Sequence, residues 1–245
     1  MKRMIAALAA AILPMSAGCA HADTPAMEDE VHSYILLDRT GSMSSIWDEA
    51  LSSVNAYAAS VAEEEGGGPD TLSTEITLAV FDSQDGLQFD VLRRGVNADT
   101  WSPVSNDEAS PRGMTPLFDA IGRIVGLAEG DKPERAVLVI MTDGHENASR
   151  EMTKEGAKAA LDRARAKGWE VVFLGAEFAS FDDADAVGVS AAKSMALGEG
   201  SMAQSMERLG KKSRAYGKGE DAEIEFNAED RAIANEEDVK QRKGN

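Results

Sequence analysis

The chain has 245 residues, of which 43% are hydrophobic, and a formal net charge of −18 at pH 7. This length accommodates one α/β domain with a leader and a tail, and it excludes two full domains. The acidic balance argues against nucleic acid or an anionic membrane surface as a partner, because phosphate groups would be repelled, and it favours a cation or a cationic partner.

The amino terminus has the features of a secretory signal peptide. Lys2 and Arg3 precede an apolar stretch over residues 4–15, and residues 20–22 read Ala-His-Ala, a small-residue cleavage site. We predict that residues 1–22 are removed and that the mature protein is periplasmic or secreted. A retained N-terminal helix is the alternative, and its apolar part is too short for an ordinary spanning helix.

Cys19 is the only cysteine, and it ends a segment, Met15-Ser16-Ala17-Gly18-Cys19, that resembles a bacterial lipoprotein box. Ser16 stands where that pattern prefers leucine. Cleavage before Cys19 would produce a membrane-anchored lipoprotein, whereas cleavage after Ala22 would leave a mature protein without cysteine. Association with a membrane is expected only in the first case.

Strand and helix patterns alternate from residue 30 onward. An apolar run over 31–37 predicts the first strand, and apolar residues at three- and four-residue spacing predict a helix over 44–65. Residues 75–81 predict a second strand. The Asp85-Gly86 turn then leads into 87–92, which we predict to be an antiparallel edge strand.

The second half continues the alternation after a long connection over residues 93–114, which is either a functional loop or an ordinary crossover. The predicted elements are a helix over 116–129, a strand over 136–142, a helix over 151–167, a strand over 169–174, a short helix over 181–187, a strand over 192–197 and a helix over 201–215. The domain therefore covers about 30–215. Charged residues dominate 217–245, which predicts a disordered tail.

Oxygen-bearing side chains follow two of these strands and precede one helix. Asp38, Thr40 and Ser42 come directly after the first strand, and Asp143 follows the strand over 136–142. Thr115 stands at the predicted N-cap of a helix whose first residue is proline. Because an open α/β sheet binds ligands beyond the carboxyl ends of its strands, oxygen-only groups there predict a hard divalent cation such as Mg²⁺.

The set Asp38, Thr40, Ser42, Thr115 and Asp143 resembles the metal-ion-dependent adhesion site of von Willebrand factor type A domains. That pattern is Asp-x-Ser-x-Ser, a distant threonine, and Asp-Gly after a later strand, and Thr40 stands where serine is commoner. The resemblance implies a Rossmann-like, doubly wound, mostly parallel sheet with one antiparallel edge strand and helices on both faces. It also implies Mg²⁺, Mn²⁺ or Ca²⁺ as the ion, and a protein partner whose carboxylate completes the coordination.

Two other functions remain open at this point. A metal-dependent phosphohydrolase of the haloacid-dehalogenase type also places an aspartate after its first strand, but its acid/base carboxylate would stand where this chain has Thr40. A type A interaction module without metal is the other alternative. We expect no enzyme activity.

Three further residues have simpler interpretations. Asp82 is either an outer participant in the site or a turn-forming aspartate. Asp119 falls in the first turn of a helix, where the helix dipole alone explains a carboxylate. His145 is expected in a solvated loop. Because His32 is the only other histidine of the predicted mature chain, His145 does not indicate a histidine metal site.

Overall fold

The computed structural model describes residues 30–62, 72–177 and 181–243. The predicted leader and the lipoprotein segment with Cys19 lie outside these residues. The strands are β1 (Glu30–Asp38), β2 (Ser73–Ser83), β3 (Leu87–Asn97), β4 (Arg135–Thr142), β5 (Glu170–Ala176) and β6 (Ser194–Leu197). The helices are α1 (Trp47–Ala62), α2 (Leu117–Asp131), α3 (Lys154–Ala166), α4 (Asp182–Ala186), α5 (Met202–Gly217), α6 (Ala228–Ile233) and α7 (Glu236–Lys243).

The six strands form one sheet in the order β3-β2-β1-β4-β5-β6. Every neighbouring pair is parallel except β2 and β3, which are antiparallel, so the predicted edge strand is confirmed. The chain leaves β1 toward β2 on one side and returns to β4 on the other. The strand order therefore reverses between β1 and β4, where open α/β sheets form a crevice for ligands.

Apolar side chains alternate between the two faces of the sheet. In β4, Val137, Val139 and Met141 join the core beneath α1 and α5, while the residues between them join the core beneath α2 and α3. A strand covered on both faces is expected to read as an unbroken apolar run. The predicted doubly wound α/β class is thereby confirmed.

Most predicted elements differ from the structure only at their ends. The loop after β1 forms a short 3-10 turn over Gly41–Ser45, so α1 begins at Trp47 rather than at residue 44. β3 extends to Asn97, which shortens the connection that follows. That connection packs on α1, where Trp101 donates to the Asn55 side chain at 3.0 Å and Trp47 to the Ala109 carbonyl at 3.1 Å.

The predicted disordered tail is wrong, because the described residues beyond 217 form α6 and α7. Few apolar residues occur there, but Ile224, Phe226 and Val239 are all buried. Two charged side chains cover the free edge of β6. Glu236 accepts the Ala196 N–H at 3.1 Å, and Arg231 donates to the Ser194 carbonyl at 3.1 Å. Edge strands need such protection, which explains why a highly charged segment folds here.

His32 is buried near the amino end of β1. Its Nε2 lies 2.9 Å from the Thr77 hydroxyl and its Nδ1 lies 3.1 Å from the Tyr34 hydroxyl. Tyr34 itself donates to Asp131 at 2.9 Å. Burial lowers the pKa of His32 to about 4, against an opposing contribution from Asp131 and a further lowering by Arg94.

This histidine predicts a loss of stability at acid pH. Because its pKa is lower in the folded than in the unfolded chain, the unfolded chain binds more protons between pH 6.5 and about 4. The free energy of unfolding is therefore expected to fall by up to about 3 kcal/mol as the pH drops through that window. Urea unfolding of wild type and His32→Gln at several pH values measures the effect. Parallel pH profiles for the two proteins would contradict it.

Candidate metal site

The five predicted ligands lie on three loops at the carboxyl edge of the sheet, beside the point where the strand order reverses. Asp38 ends β1, and Thr40 and Ser42 follow it in the 3-10 turn region. Asp143 follows β4, and Thr115 precedes α2. The loops also touch through the backbone, since the Gly41 N–H donates to the Gly113 carbonyl at 3.2 Å.

The hydroxyl groups and one carboxylate make a continuous set of contacts. Thr40 Oγ1 lies 3.1 Å from Ser42 Oγ and 3.5 Å from Thr115 Oγ1. Ser42 donates to Asp143 Oδ1 at 2.7 Å. Adjacent ligands of an octahedral Mg²⁺ are about 2.9 Å apart, since the metal–oxygen distance is about 2.0–2.1 Å. The observed spacings of these four side chains fit a small divalent cation.

Asp38 is fully buried, and its two oxygens already have donors. Oδ1 accepts the Thr40 N–H at 2.7 Å, and Oδ2 accepts the Thr142 hydroxyl at 2.5 Å. Burial raises the pKa of Asp38 to about 7; the hydrogen bonds from Thr142 and Thr40 oppose this shift, and the charge of Asp143 adds to it. Asp38 therefore ties the first ligand loop to the end of β4.

Gly144 keeps space open beside the hydroxyl groups. A Cβ atom at this position would lie 3.7 Å from Thr115 Oγ1 and 3.8 Å from Ser42 Oγ. Across the described ranges, no three His, Cys, Asp or Glu side chains are grouped as metal ligands. A cation here would therefore depend on hydroxyl groups, which leave most of its charge unneutralised.

No family model and no curated protein sequence matches the chain. Several solved structures do. The pilus adhesin SpaC from Lactobacillus rhamnosus GG superposes with a TM-score of 0.56 at 13% identity, covering 78% of this chain and 30% of SpaC. The vWF domain of the type V pili tip protein Mfa5 from Porphyromonas gingivalis gives 0.54 at 8% identity, covering 77% of this chain and 96% of that domain.

The chain has a von Willebrand factor type A fold. Proximal thread matrix protein 1 from the mussel byssus also matches, with a TM-score of 0.51 at 17% identity over 75% of this chain. The chain spans 46% of the length of the byssus protein. It contains no helix, among the residues that the structure describes, that is long and apolar enough to cross a membrane.

Thr115 was predicted to be the N-cap of the helix that follows it, and this prediction is wrong. The N-cap is Pro116, and α2 begins at Leu117. The Thr115 N–H donates to Asn147 Oδ1 at 2.9 Å, and the Thr115 carbonyl accepts the backbone N–H groups of Asn147 and Ala148. These bonds fix the Thr115 backbone against the loop after β4, so its hydroxyl faces Thr40 instead of capping a helix.

Of the two interpretations of Asp82, the turn-forming one is wrong, and the residue lies outside the set of predicted ligands but contacts the loop that carries three of them. It lies within β2, fully buried, and binds Arg39 Nε at 2.7 Å. Arg39 also binds Asp90 at 2.5 Å, and Arg112 approaches Asp82 at 3.3 Å. Because Arg39 stands between Asp38 and Thr40, this buried ion pair holds the first ligand loop in place.

Asp119 does more than complement the dipole of α2. Its carboxylate is buried and accepts three backbone N–H groups, from Arg150 at 2.8 Å, Glu151 at 2.9 Å and Met152 at 2.6 Å. Glu146 reaches the opposite way and accepts the Phe118 N–H at 2.9 Å. The two carboxylates therefore fasten the loop after β4 to the start of α2.

His145 lies on the same loop with an exposed side chain. Its Nδ1 is 3.1 Å from Asp183 Oδ2, and the Glu146 N–H donates to the same oxygen at 3.0 Å. Through Asp183, the histidine contacts α4. Its expected place in a solvated loop agrees with the structure.

Sequence reasoning missed Thr142, Asn147 and Glu146 as supports of the site. The sequence places Thr142 at the end of the predicted strand over 136–142, and Glu146 and Asn147 between that strand and the next predicted helix. Their partners are far away in sequence: Thr142 is 104 residues from Asp38, and Asn147 is 32 residues from Thr115. Only the side-chain type, a polar group next to a predicted ligand loop, could have indicated them.

Proposed function

We propose that this type A domain binds a divalent cation, Mg²⁺ or alternatively Mn²⁺ or Ca²⁺, and uses it to bind a protein partner. The observation that carries the proposal is the contact set of Thr40, Ser42, Thr115 and Asp143, drawn from three loops. When bound, such an ion supplies a Lewis-acidic position that accepts a carboxylate from the partner.

The five predicted ligands would have different roles in binding the ion. The three hydroxyl groups would hold the ion without neutralising it, and Asp143 would balance part of its charge. Asp38 would orient the first loop through the Thr40 N–H, and act on the ion through water. We propose an extracytoplasmic setting, periplasmic or secreted, which the leader-like sequence over 1–22 supports.

Metal binding is expected to raise the melting temperature, because a ligand that binds only the folded state stabilises it. At a metal concentration of about 100 times the Kd, the gain is about 2.7 kcal/mol. Differential scanning fluorimetry with Mg²⁺, Mn²⁺ and Ca²⁺ measures it. Asp143→Asn and Thr115→Val should weaken the response at least about tenfold in metal concentration, since the first removes a negative charge from the site and the second removes a ligand hydroxyl group.

The matched control is Asp85→Asn, which removes one negative charge from a side chain that is 98% exposed in the turn between β2 and β3. It should respond to metal like wild type. A wild-type melting temperature that does not change up to 10 mM of all three ions, about the limit of a useful site, would overturn metal binding. The domain would then be a type A interaction module without metal.

The phosphohydrolase alternative lacks its proton donor. Thr40 occupies the required position, and its hydroxyl is engaged with Ser42 and Thr115. A neutral hydroxyl is a poor general acid at neutral pH. We therefore propose no enzyme activity. Hydrolysis of an aryl phosphate that disappears in Asp38→Asn would reverse this conclusion.

A further inference from the structure

A groove leads away from the candidate metal site along the last helix. A cleft of about 480 Å³ has Ser42 and Asp143 at one end and Glu177, Glu199 and Arg242 at the other. A second cleft, of about 340 Å³, shares Glu199 and Arg242 and continues along α7 past Asn235, Asp238 and Gln241. We call these two adjoining clefts the α7 groove.

The wall formed by α7 is firmly attached. Val239 is completely buried, and Glu236 accepts the Ala196 N–H of β6 at 3.1 Å and binds Arg231 at 2.8 Å. At the start of the helix, the Gly198 N–H donates to the Ala234 carbonyl at 2.8 Å, and a Cβ on Gly198 would lie only 3.1 Å from Asn235 Cβ. The groove is thus a fixed feature of the fold.

The lining of the α7 groove is acidic. Glu177, Glu199 and Asp238 add three carboxylates to that of Asp143, whereas Arg242 is the one cation among the described lining residues. Arg242 Nη2 binds Glu177 Oε1 at 3.1 Å, and the arginine side chain remains half exposed. One guanidinium therefore already sits in the groove, and the excess negative charge favours further basic groups.

We propose that the α7 groove binds an extended segment of the protein partner that carries one carboxylate, at the metal, and lysine or arginine side chains beside it. This inference rests on the proposed function and specifies the chemistry of the partner. The carboxylate binds at the Ser42 and Asp143 end. The basic side chains lie along Glu199 and Asp238, and one of them competes with Arg242 for Glu177.

Two synthetic peptides test the proposal, in low salt with Mg²⁺. One is acetyl-Lys-Gly-Lys-Gly-Asp-Gly-Lys-Gly-Lys-amide, in which lysines flank the aspartate in the same order in either chain direction. The other has glutamate in place of every lysine. The basic peptide is expected to bind wild type at least about tenfold more tightly, measured by calorimetry or NMR titration.

Variants locate the effect in the groove. Glu199→Lys with Asp238→Lys should weaken the basic peptide at least about tenfold, because both side chains are exposed and lie in the lining. The matched control is Glu220→Lys with Asp221→Lys, which makes the same change in net charge. Its residues follow α5 near Arg135, at the amino end of β4, and the affinity of this variant for the basic peptide should stay within about threefold of wild type.

The variant Arg242→Gln should bind the basic peptide more tightly, because it frees Glu177.

Equal affinity for the two peptides, no measurable binding of the basic one, or equal losses in the groove and control variants would overturn the proposal. The metal response separates this result from failure of the proposed function. The groove variant keeps all five predicted ligands, so its melting temperature should still rise with Mg²⁺. If the melting temperature still rises with Mg²⁺ but the two peptides bind with equal affinity, only the proposal about the α7 groove is wrong.

Discussion

Replacing Asp82 by alanine is expected to lower the free energy of unfolding by about 3–5 kcal/mol, the usual cost of leaving one member of a buried ion pair without its partner. Asp82 is completely buried, and the side chain of Arg39 is only 4% exposed. Without Asp82, the Arg39 guanidinium would keep only Asp90, whose side chain is 53% exposed. Urea unfolding with an unchanged m-value would measure the loss.

Asp90→Ala is the matched control for this experiment, since it removes the other carboxylate from the same arginine. Asp90 is solvent-accessible, so water can replace it, and the expected cost is below about 1 kcal/mol. The Asp82 variant should also need more Mg²⁺ for the same stabilisation, because Arg39 lies inside the first ligand loop. Similar losses for Asp82→Ala and Asp90→Ala would show that the buried pair does not hold this loop.

Asp119→Ala is expected to cost about 4 kcal/mol. The variant leaves three backbone N–H groups without their acceptor, and a hydrogen bond to a charged group contributes about 1.5–3 kcal/mol before the loop relaxes toward water. The amides of Arg150, Glu151 and Met152 should then exchange faster with deuterium, since they lose the acceptor that protects them.

If Asp119 only complemented the helix dipole, its substitutions would have smaller effects. If the charge of Asp119 only complemented the dipole of α2, Asp119→Ala and Asp119→Asn would both cost below about 1 kcal/mol. The hydrogen bonds predict a different order, because asparagine keeps one acceptor oxygen and alanine keeps none. The alanine variant should therefore be clearly less stable than the asparagine variant, as determined by urea unfolding.

The fold was predictable because its strands have a simple signature. The strands β1 and β4 are covered on both faces and read as unbroken apolar runs, and the ligand-type residues follow them directly. Thr115 lies next to Thr40, but it is not the N-cap of α2. Its backbone bonds to Asn147 and Ala148, about 30 residues away, and these displaced the helix start by one position.

The tail was mispredicted for a related reason. Averaged over residues 217–245, charge outweighs apolar content, and such composition is typical of disorder. The four buried residues Ile224, Phe226, Ala234 and Val239 are nevertheless enough, because the sheet already offers a surface for them. Arg231, Asp230 and Glu236 are engaged in ion pairs with the domain or with each other, so their charges do not oppose folding. Composition alone does not record where such partners lie.

The covering of β6 by Arg231 and Glu236 has a practical consequence for handling the protein. A chain cut after residue 217 would retain every predicted metal ligand, but the outer edge of β6 would expose unpaired backbone N–H and C=O groups. Exposed strand edges pair with one another, so the shortened product should precipitate or form oligomers while the full-length protein stays monodisperse. Recombinant fragments intended for binding studies should therefore run to residue 243.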